Sequence, residues 1–379
     1  MSRYAAYIAS IALFLLSLLL SRWQVEWSWG AAIFGILAAL GTLDMLQHKS
    51  TLRRNYPILA HIRYGLETIG PEIRQYFIQS DIVEVPFSRQ QRALVYQRAK
   101  RANELRPFGS LQAIYGVDYE WINHSITPAH IDSSDFRITI GAASKQPYSA
   151  SVFNISAMSF GSLSAAAIRA LNAGAKAGGF SHDTGEGSIS PYHREAGGDL
   201  VWEIGSGYFG CRNDDGSFSD ERFTKAACDP QVKMIEIKLS QGAKPGHGGV
   251  LPAAKVSAEI ALTRGVPMGQ DCVSPAAHTE FSTPLGLLQF VARLRQMSGG
   301  KPTGFKLAIG HPWEWFGIAK AMQEQAHSEP SLLPDFIVVD GAEGGTGAAP
   351  AEFIDHVGVP MHEALMLVHN TLVGLDLRD

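Results

Sequence analysis

The feature that most constrains this chain is an alternation that begins after Ser151. Short apolar runs at 152–158, 180–183, 234–239, 271–274, 305–309 and 336–340 alternate with stretches of helical spacing at 163–177, 255–262, 285–297 and 313–325. Strand–helix units in series give a parallel sheet with helices outside, and six of them favour an α/β fold of the (β/α)8 TIM barrel type over an open sheet. Two more strands are needed to close such a barrel. The barrel therefore reads as truncated after six strands, and a chain that continues past Asp379 is the expected reason, since a barrel cut there leaves an open edge and an unfilled core.

Within this region the run I-E-I-K-L-S-Q-G-A-K-P-G-H-G-G-V-L-P at 235–252 joins a strand, with Glu236 and Lys238 between apolar residues, to a loop rich in glycine around Lys244. Glycines let the main chain approach a ligand while the strand holds the geometry. Ser159, Glu186, Gln241, Lys244, His278, Lys306 and the loop 341–350 all fall at the carboxyl ends of the expected strands, where barrel enzymes place their sites. Taken singly, each is as well read as a loop residue. G-S-G-Y-F-G at 205–210 matches a dinucleotide pattern in letters only, because a turn-like C-R-N-D-D-G follows where a helix should open. No metal-ligand spacing and no G-x-S-x-G elbow is present, so no metal is expected. The three cysteines, Cys211, Cys228 and Cys272, have no paired spacing, which fits a reducing compartment. A net charge of −4 gives no reason to expect nucleic acid.

The first part of the chain is different in kind. Residues 4–21 and 27–43 carry no charge and are separated by a short loop with Arg22 and Glu26; Trp23, Trp27 and Trp29 cluster there, and Lys49, Arg53 and Arg54 follow. Apolar runs of this length flanked by tryptophans read as a transmembrane helical hairpin in a lipid membrane, with both ends and the barrel on the cytoplasmic side. The expected domains are thus the hairpin at 1–47, a linker with helices of its own at 48–150, and the barrel at 151–379. In the linker, 89–106 carries six Arg or Lys against one Glu and is read as a solvated helix.

With these residues on the page, the region 151–379 resembles the FMN-binding synthase domain of glutamate synthases. The matching pieces are A-M-S-F-G-S at 157–162, T-G-E-G at 184–187, I-K-L-S-Q-G-A-K-P-G at 237–246, Leu251-Pro252 with K-V-S at 255–257, Ser274-Pro275 with His278, and G-G-T-G-A-A-P at 344–350. The apolar hairpin resembles that of stand-alone, membrane-anchored relatives. The resemblance implies FMN at the barrel mouth, with 2-oxoglutarate and ammonia forming 2-iminoglutarate that the reduced flavin converts to glutamate. It implies that Lys244 lies beside flavin and substrate, that Arg264 clamps a substrate carboxylate, that Gln241 binds substrate, and that Glu186 is an acid–base group near the ammonia entry. Ala157, Met158, Ser159, Lys306, Gly344, Gly345, Thr346 and Gly347 are implied flavin contacts. An electron-donor protein is the implied partner.

Departures are visible too. His247 stands where the family commonly has an acid and Val250 where it commonly has a glutamine, and the clustered cysteines of the family's iron–sulfur centre are absent from this chain. An amine in place of ammonia, giving an N-substituted glutamate, is therefore a neighbouring expectation. A membrane-tethered interaction protein on an inactive barrel is the alternative from another class, and retention of Glu186, Lys244 and Arg264 argues against it.

Overall fold

The computed structural model describes residues 3–78, 86–103, 105–111, 114–116, 119, 121–244 and 248–378. His247, with Pro245 and Gly246, lies outside the described residues. The chain divides into two compact units, Met1–Pro128 and Ala129–Asp379.

In the first unit, helices Ala5–Leu20 and Trp27–Leu46 pack as an antiparallel hairpin. Glycines set the spacing, for a Cβ at Gly30 would sit 3.0 Å from Ser17 Oγ and one at Gly35 3.0 Å from Phe14. Close approach through small residues is how helices pack where no water drives them together. The large apolar side chains, Leu15, Leu19, Ile33, Ile36 and Leu43 among them, point outward. Trp27–Leu46, at 20 residues and mean hydropathy 1.7, is long enough to cross a bilayer core; Ala5–Leu20, at 16 residues, is shorter than the expected span. At the hairpin's end the buried Asp44 accepts from the Ile58 amide at 3.0 Å and faces His61 Nε2 at 2.9 Å. That joins the hairpin to the short helix Thr51–Asn55 and to Leu59–Ile73. The basic helix Arg89–Ala99 opens on a Ser88–Gln91 capping box and stops short of the expected end.

The second unit begins before the expected boundary at 151, with an antiparallel hairpin of β1 (Arg137–Ile140) and β2 (Tyr148–Ser151). Its centre is a curled parallel sheet of five strands in the order β3 (His182–Asp183), β4 (Leu200–Ile204), β5 (Val232–Lys238), β8 (Thr303–Ala308) and β9 (Ile337–Asp340). The strands β6 (Val250–Leu251) and β7 (Cys272–Val273) form a separate antiparallel pair outside it. Two expectations are thereby corrected. The run 271–274 is no strand of the main sheet, because its two pairing residues turn back on β6; the strand not expected is Leu200–Ile204, between β3 and β5, hidden in sequence between Gly197-Gly198 and the 205–210 glycines. The run 152–158 contributes one parallel bridge, Ile155 to His182, at the edge beyond β3.

Residues paired across a parallel sheet share a face, and faces alternate along each strand. The register therefore sorts the side chains into two sets. One face carries the buried Leu200 together with Trp202, Ile204, Ile235, Ile237, Phe305 and Leu307, which share one core cluster with Leu287, Leu288, Val291 and Leu294 of helix Pro284–Met297 and Trp315, Ala319 and Met322 of helix Pro312–Ser328. Each such side chain contributes roughly 1.5–3 kcal/mol by burial. The other face carries Asp183, Glu203, Glu236, Lys238, Lys306 and Asp340. An apolar outer face and a charged inner one put the chemistry inside the curl.

Candidate active site

Charged groups lining a sheet interior must be paired or neutral. The Asp183, Glu203 and Glu236 carboxylates have oxygens within 4.8 Å of one another, and Lys306 Nζ reaches into the same place, bonded to Glu203 and 3.7 Å from Glu236. Burial raises the Glu236 pKa well above the carboxylate range, with the Asp183 charge adding to it. Burial likewise lifts Asp183 to about 7, helped by Glu203. Burial opposes ionisation of Glu203 too, but the Lys306 and Lys238 charges outweigh it and hold its pKa low. Lys306 is kept cationic by Glu203 and Glu236 against its own desolvation. The cluster is thus one ion pair beside two carboxyl groups whose pKa values burial raises.

Lys306 is in register with Lys238, yet the two ammoniums take different partners. Lys238 Nζ donates to Glu186 Oε1 at 2.8 Å and to Gln241 Oε1 at 2.6 Å. Glu186 comes from the loop after β3 and Gln241 from the loop after β5, so one lysine ties two strand ends together. Glu186 sits against bare backbone, since a Cβ at Gly205 would lie 2.5 Å from its Oε2 and one at Gly249 2.8 Å from its Oε1. Only glycine leaves room for the carboxylate there. Lys244 is 4% exposed, and its Nζ has no hydrogen-bond partner among the described residues. Its burial lowers its pKa, while Glu186 acts in the opposite direction. Ser274 Oγ is buried and unpartnered as well, next to Gly207 and Gly249.

The surrounding loops are locked to this centre. His278 Nε2 meets the Lys238 carbonyl at 2.8 Å, which makes that nitrogen the donor and leaves Nδ1 to accept from Tyr208 Oη at 3.2 Å. Burial lowers the His278 pKa. Tyr208 Oη in turn accepts from the amides of Thr279 and Glu280. Ala243 N donates to Gly344 O at 2.9 Å and Gly242 N to Asp340 at 3.1 Å, and Gly345 packs on Gln241. Ser159 lies against Gly185 and Gly187, and Arg264 Nη2 donates to Phe160 O at 3.1 Å while its guanidinium stacks on Phe209 at 5.3 Å.

The structure thus gathers Glu186, Gln241 and Lys244 with Met158, Ser159 and the 344–345 backbone at one mouth. Arg264 stands at the margin, held by Phe160. Lys306 lies in the interior ion pair, and Thr346 and Gly347 begin a short 3-10 turn, with open space where a Cβ on Gly347 would stand. The three cysteines are free, Cys211 and Cys272 buried and Cys228 exposed. Sequence reading did not single out Lys238, Glu203, Glu236 or Asp183 as site residues. The signal was the period-two placement of Glu236 and Lys238, which marks one face of a strand without saying which face is inside.

The arrangement finds its relatives among known proteins. A family model described as the conserved region in glutamate synthase matches residues 118–379. This chain belongs to the glutamate synthase family. Among its curated relatives, the glutamate synthase large subunit-like protein YerD of Bacillus subtilis is 36% identical over 376 residues, covering 88% of this chain and 70% of that protein. The archaeal-type glutamate synthase [NADPH] of Thermotoga neapolitana is 36% identical over 217 residues, 57% of this chain and 38% of that protein. The glutamate synthase [NADPH] large chain of Bacillus subtilis is 33% identical over 235 residues, 60% of this chain and 14% of its own length. Against the latter two the family resemblance falls on a minor part of the relative.

Proposed function

We propose that this chain is an FMN-dependent oxidoreductase of the glutamate synthase type, which aminates 2-oxoglutarate reductively with ammonia, and that its curled sheet is part of a (β/α)8 barrel. The observation that carries this is the buried Lys244 Nζ, without a hydrogen-bond partner among the described residues, beside the Glu186–Lys238–Gln241 group in a chain of this family. The residues fit a flavin in that two buried donors, Lys244 Nζ and Ser274 Oγ, lack a hydrogen-bond partner among the described residues and stand with the Glu186 carboxylate at the strand ends. Ala157, Met158, Ser159, Lys244 and the 344–347 backbone would hold it, with Lys306 beneath as a fixed charge. Bound there, FMN supplies the two electrons that turn an imine into an amine.

The chain's own residues supply the rest. Condensing ammonia with the 2-oxoglutarate carbonyl gives 2-iminoglutarate and water, and protons must move at nitrogen and oxygen. Glu186, held in place by Lys238, is the acid–base group for those transfers. Gln241 gives its carbonyl to Lys238, which leaves its N–H groups for substrate. Arg264, the carboxylate clamp that the resemblance implies, has its terminal nitrogens engaged by Phe160 O and Cys272 Sγ and takes no part in this reading. Lys244, its charge undiluted by water, stabilises negative charge developing at the carbonyl oxygen. An electron-donor protein is the proposed reductant, and the apolar hairpin is proposed as a membrane anchor with both ends cytoplasmic.

The test uses the full chain purified in detergent. Bound flavin should show in its visible spectrum, and 2-oxoglutarate, ammonia and a chemical reductant should yield glutamate. Lys244→Ala is expected to lower the rate by about 100-fold or more with the fold intact. An unchanged rate would remove the reading, and turnover only with methylamine would move it to an N-substituted product.

A further inference from the structure

A second concave site lies outside the mouth. A cavity of about 470 Å³ opens between the loop after β3, the loop after β4, helix Asp220–Ala227 and the end of helix Ala258–Arg264. Four arginines line it, Arg194, Arg212, Arg222 and Arg264, and no acidic residue does. Arg194 is paired with Asp229, and Arg222 with Asp214 at 3.2 Å. Neither Arg212 nor Arg264 has an ion-pair partner among the described residues; Arg212 lies over the Phe209 ring and only shares the field of Asp215. Two guanidinium charges therefore remain for an occupant. The wall also holds two polar groups that are buried without a partner, the Trp202 indole N–H and Arg264 Nε. Unpaired buried donors beside unpaired cations mark a place built for an acceptor.

We propose that this cavity binds a small phosphorylated metabolite. Guanidinium matches phosphate oxygens bidentately, and two uncompensated charges match a dianionic monoester. Arg222 Nη1 donates to the Arg212 carbonyl at 2.5 Å, so these two basic residues share one wall, which suits one compact dianionic head better than two separated carboxylates. The remaining wall, with Ile189, Pro191 and Leu262, receives an organic body larger than phosphate itself. Arg264 borders both this cavity and the loop at Phe160, whereas Arg194, Arg212 and Arg222 belong to this cavity alone. The inference does not rest on the flavin reading.

Calorimetric titration of the full chain in detergent with glycerol 3-phosphate, inorganic phosphate and succinate tests it. Saturable binding is expected, tightest for glycerol 3-phosphate. Arg212→Gln should weaken it roughly tenfold or more, while Lys320→Gln, an equal change of charge on an exposed helix position, should not. Leu262 is 83% exposed, so Leu262→Asp keeps the fold and should abolish binding by placing a carboxylate in the wall. Lys244→Ala should leave binding unchanged. The proposal is overturned if no probe binds saturably, if Lys320→Gln weakens binding as much as Arg212→Gln, if Lys244→Ala abolishes it, or if succinate binds more tightly than the phosphate ester.

Discussion

A lysine enclosed by three carboxyl groups has one charge to offer, and Lys306 spends it on Glu203, so Glu236 and Asp183 are left to solve their own burial by holding protons. Removing one partner of such a pair leaves a bare charge in the interior. Lys306→Met should therefore cost about 3–5 kcal/mol, read from denaturant unfolding, and Lys306→Met with Glu203→Gln should recover most of it; a double variant as unstable as the single one would contradict the pairing. Asp183 gives the sheet a pH dependence of definite sign. Its folded pKa of about 7 stands above the ordinary value of 3.8, so between these the native chain keeps a proton that the unfolded chain has lost. Stability from this group is full below the lower value and falls as pH rises through the higher one. Asp183→Asn should remove that slope, and its melting temperature should gain on the wild type from about pH 5 to about pH 8. A constant difference across that range would show that Asp183 does not hold the proton. None of this was legible in the sequence, because Asp183, Glu203, Glu236 and Lys306 stand on four strands and meet only through register.

At the scale of elements, the loops that make the mouth are pressed together by main chain. A Cβ on Gly242 would overlap the Gly341 carbonyl, and one on Gly248 the Ser274 carbonyl. Backbone against backbone has no rotamer to yield, so Gly242→Ala should cost about 1–3 kcal/mol and part the loop of Gln241 from that of Gly345. Gly174, in helix Ala165–Gly178, has open space at its Cβ, and Gly174→Ala should instead stabilise by roughly 0.5–1 kcal/mol. Thermal unfolding of the two variants checks both, and equal effects would mean that the loop contact is not made. The same elements show what sequence patterning delivers. Glycine-rich loops after apolar runs were enough to place Glu186, Gln241 and Lys244 together, because strand-to-loop order survives errors in strand counting. The count itself failed at Leu200–Ile204, where Glu203, the partner of Lys306, breaks the apolar run, and at 271–274, where a short apolar run is equally good for an antiparallel excursion.

For the molecule as a whole, the N-terminal unit and the Ala129–Asp379 unit are folded by opposite rules. The second buries its large apolar residues and turns charge to an interior mouth; the first packs glycine and serine inside its hairpin and presents Leu, Ile and Trp outward, with Trp29 77% and Ile36 69% exposed. Such a surface is unfavourable in water and suits hydrocarbon. Trp27–Leu46 has the length to cross, at about 30 Å, and Ala5–Leu20, about 24 Å long, needs a thinned bilayer or its flanking turns to follow it. The full chain should therefore sediment with membranes and stay there through alkaline carbonate washing, yielding only to detergent. Ile36 lies near the middle of its helix on the outward side, so Ile36→Arg should oppose insertion by roughly 2.5–3.5 kcal/mol and shift the chain toward the washed fraction, while leaving the packing against Ala5–Leu20 untouched. Release of the unaltered chain by carbonate would assign the apolar surface to a protein partner instead, and an Ile36→Arg chain that stayed as firmly bound as the wild type would take the hairpin's outward face out of the lipid.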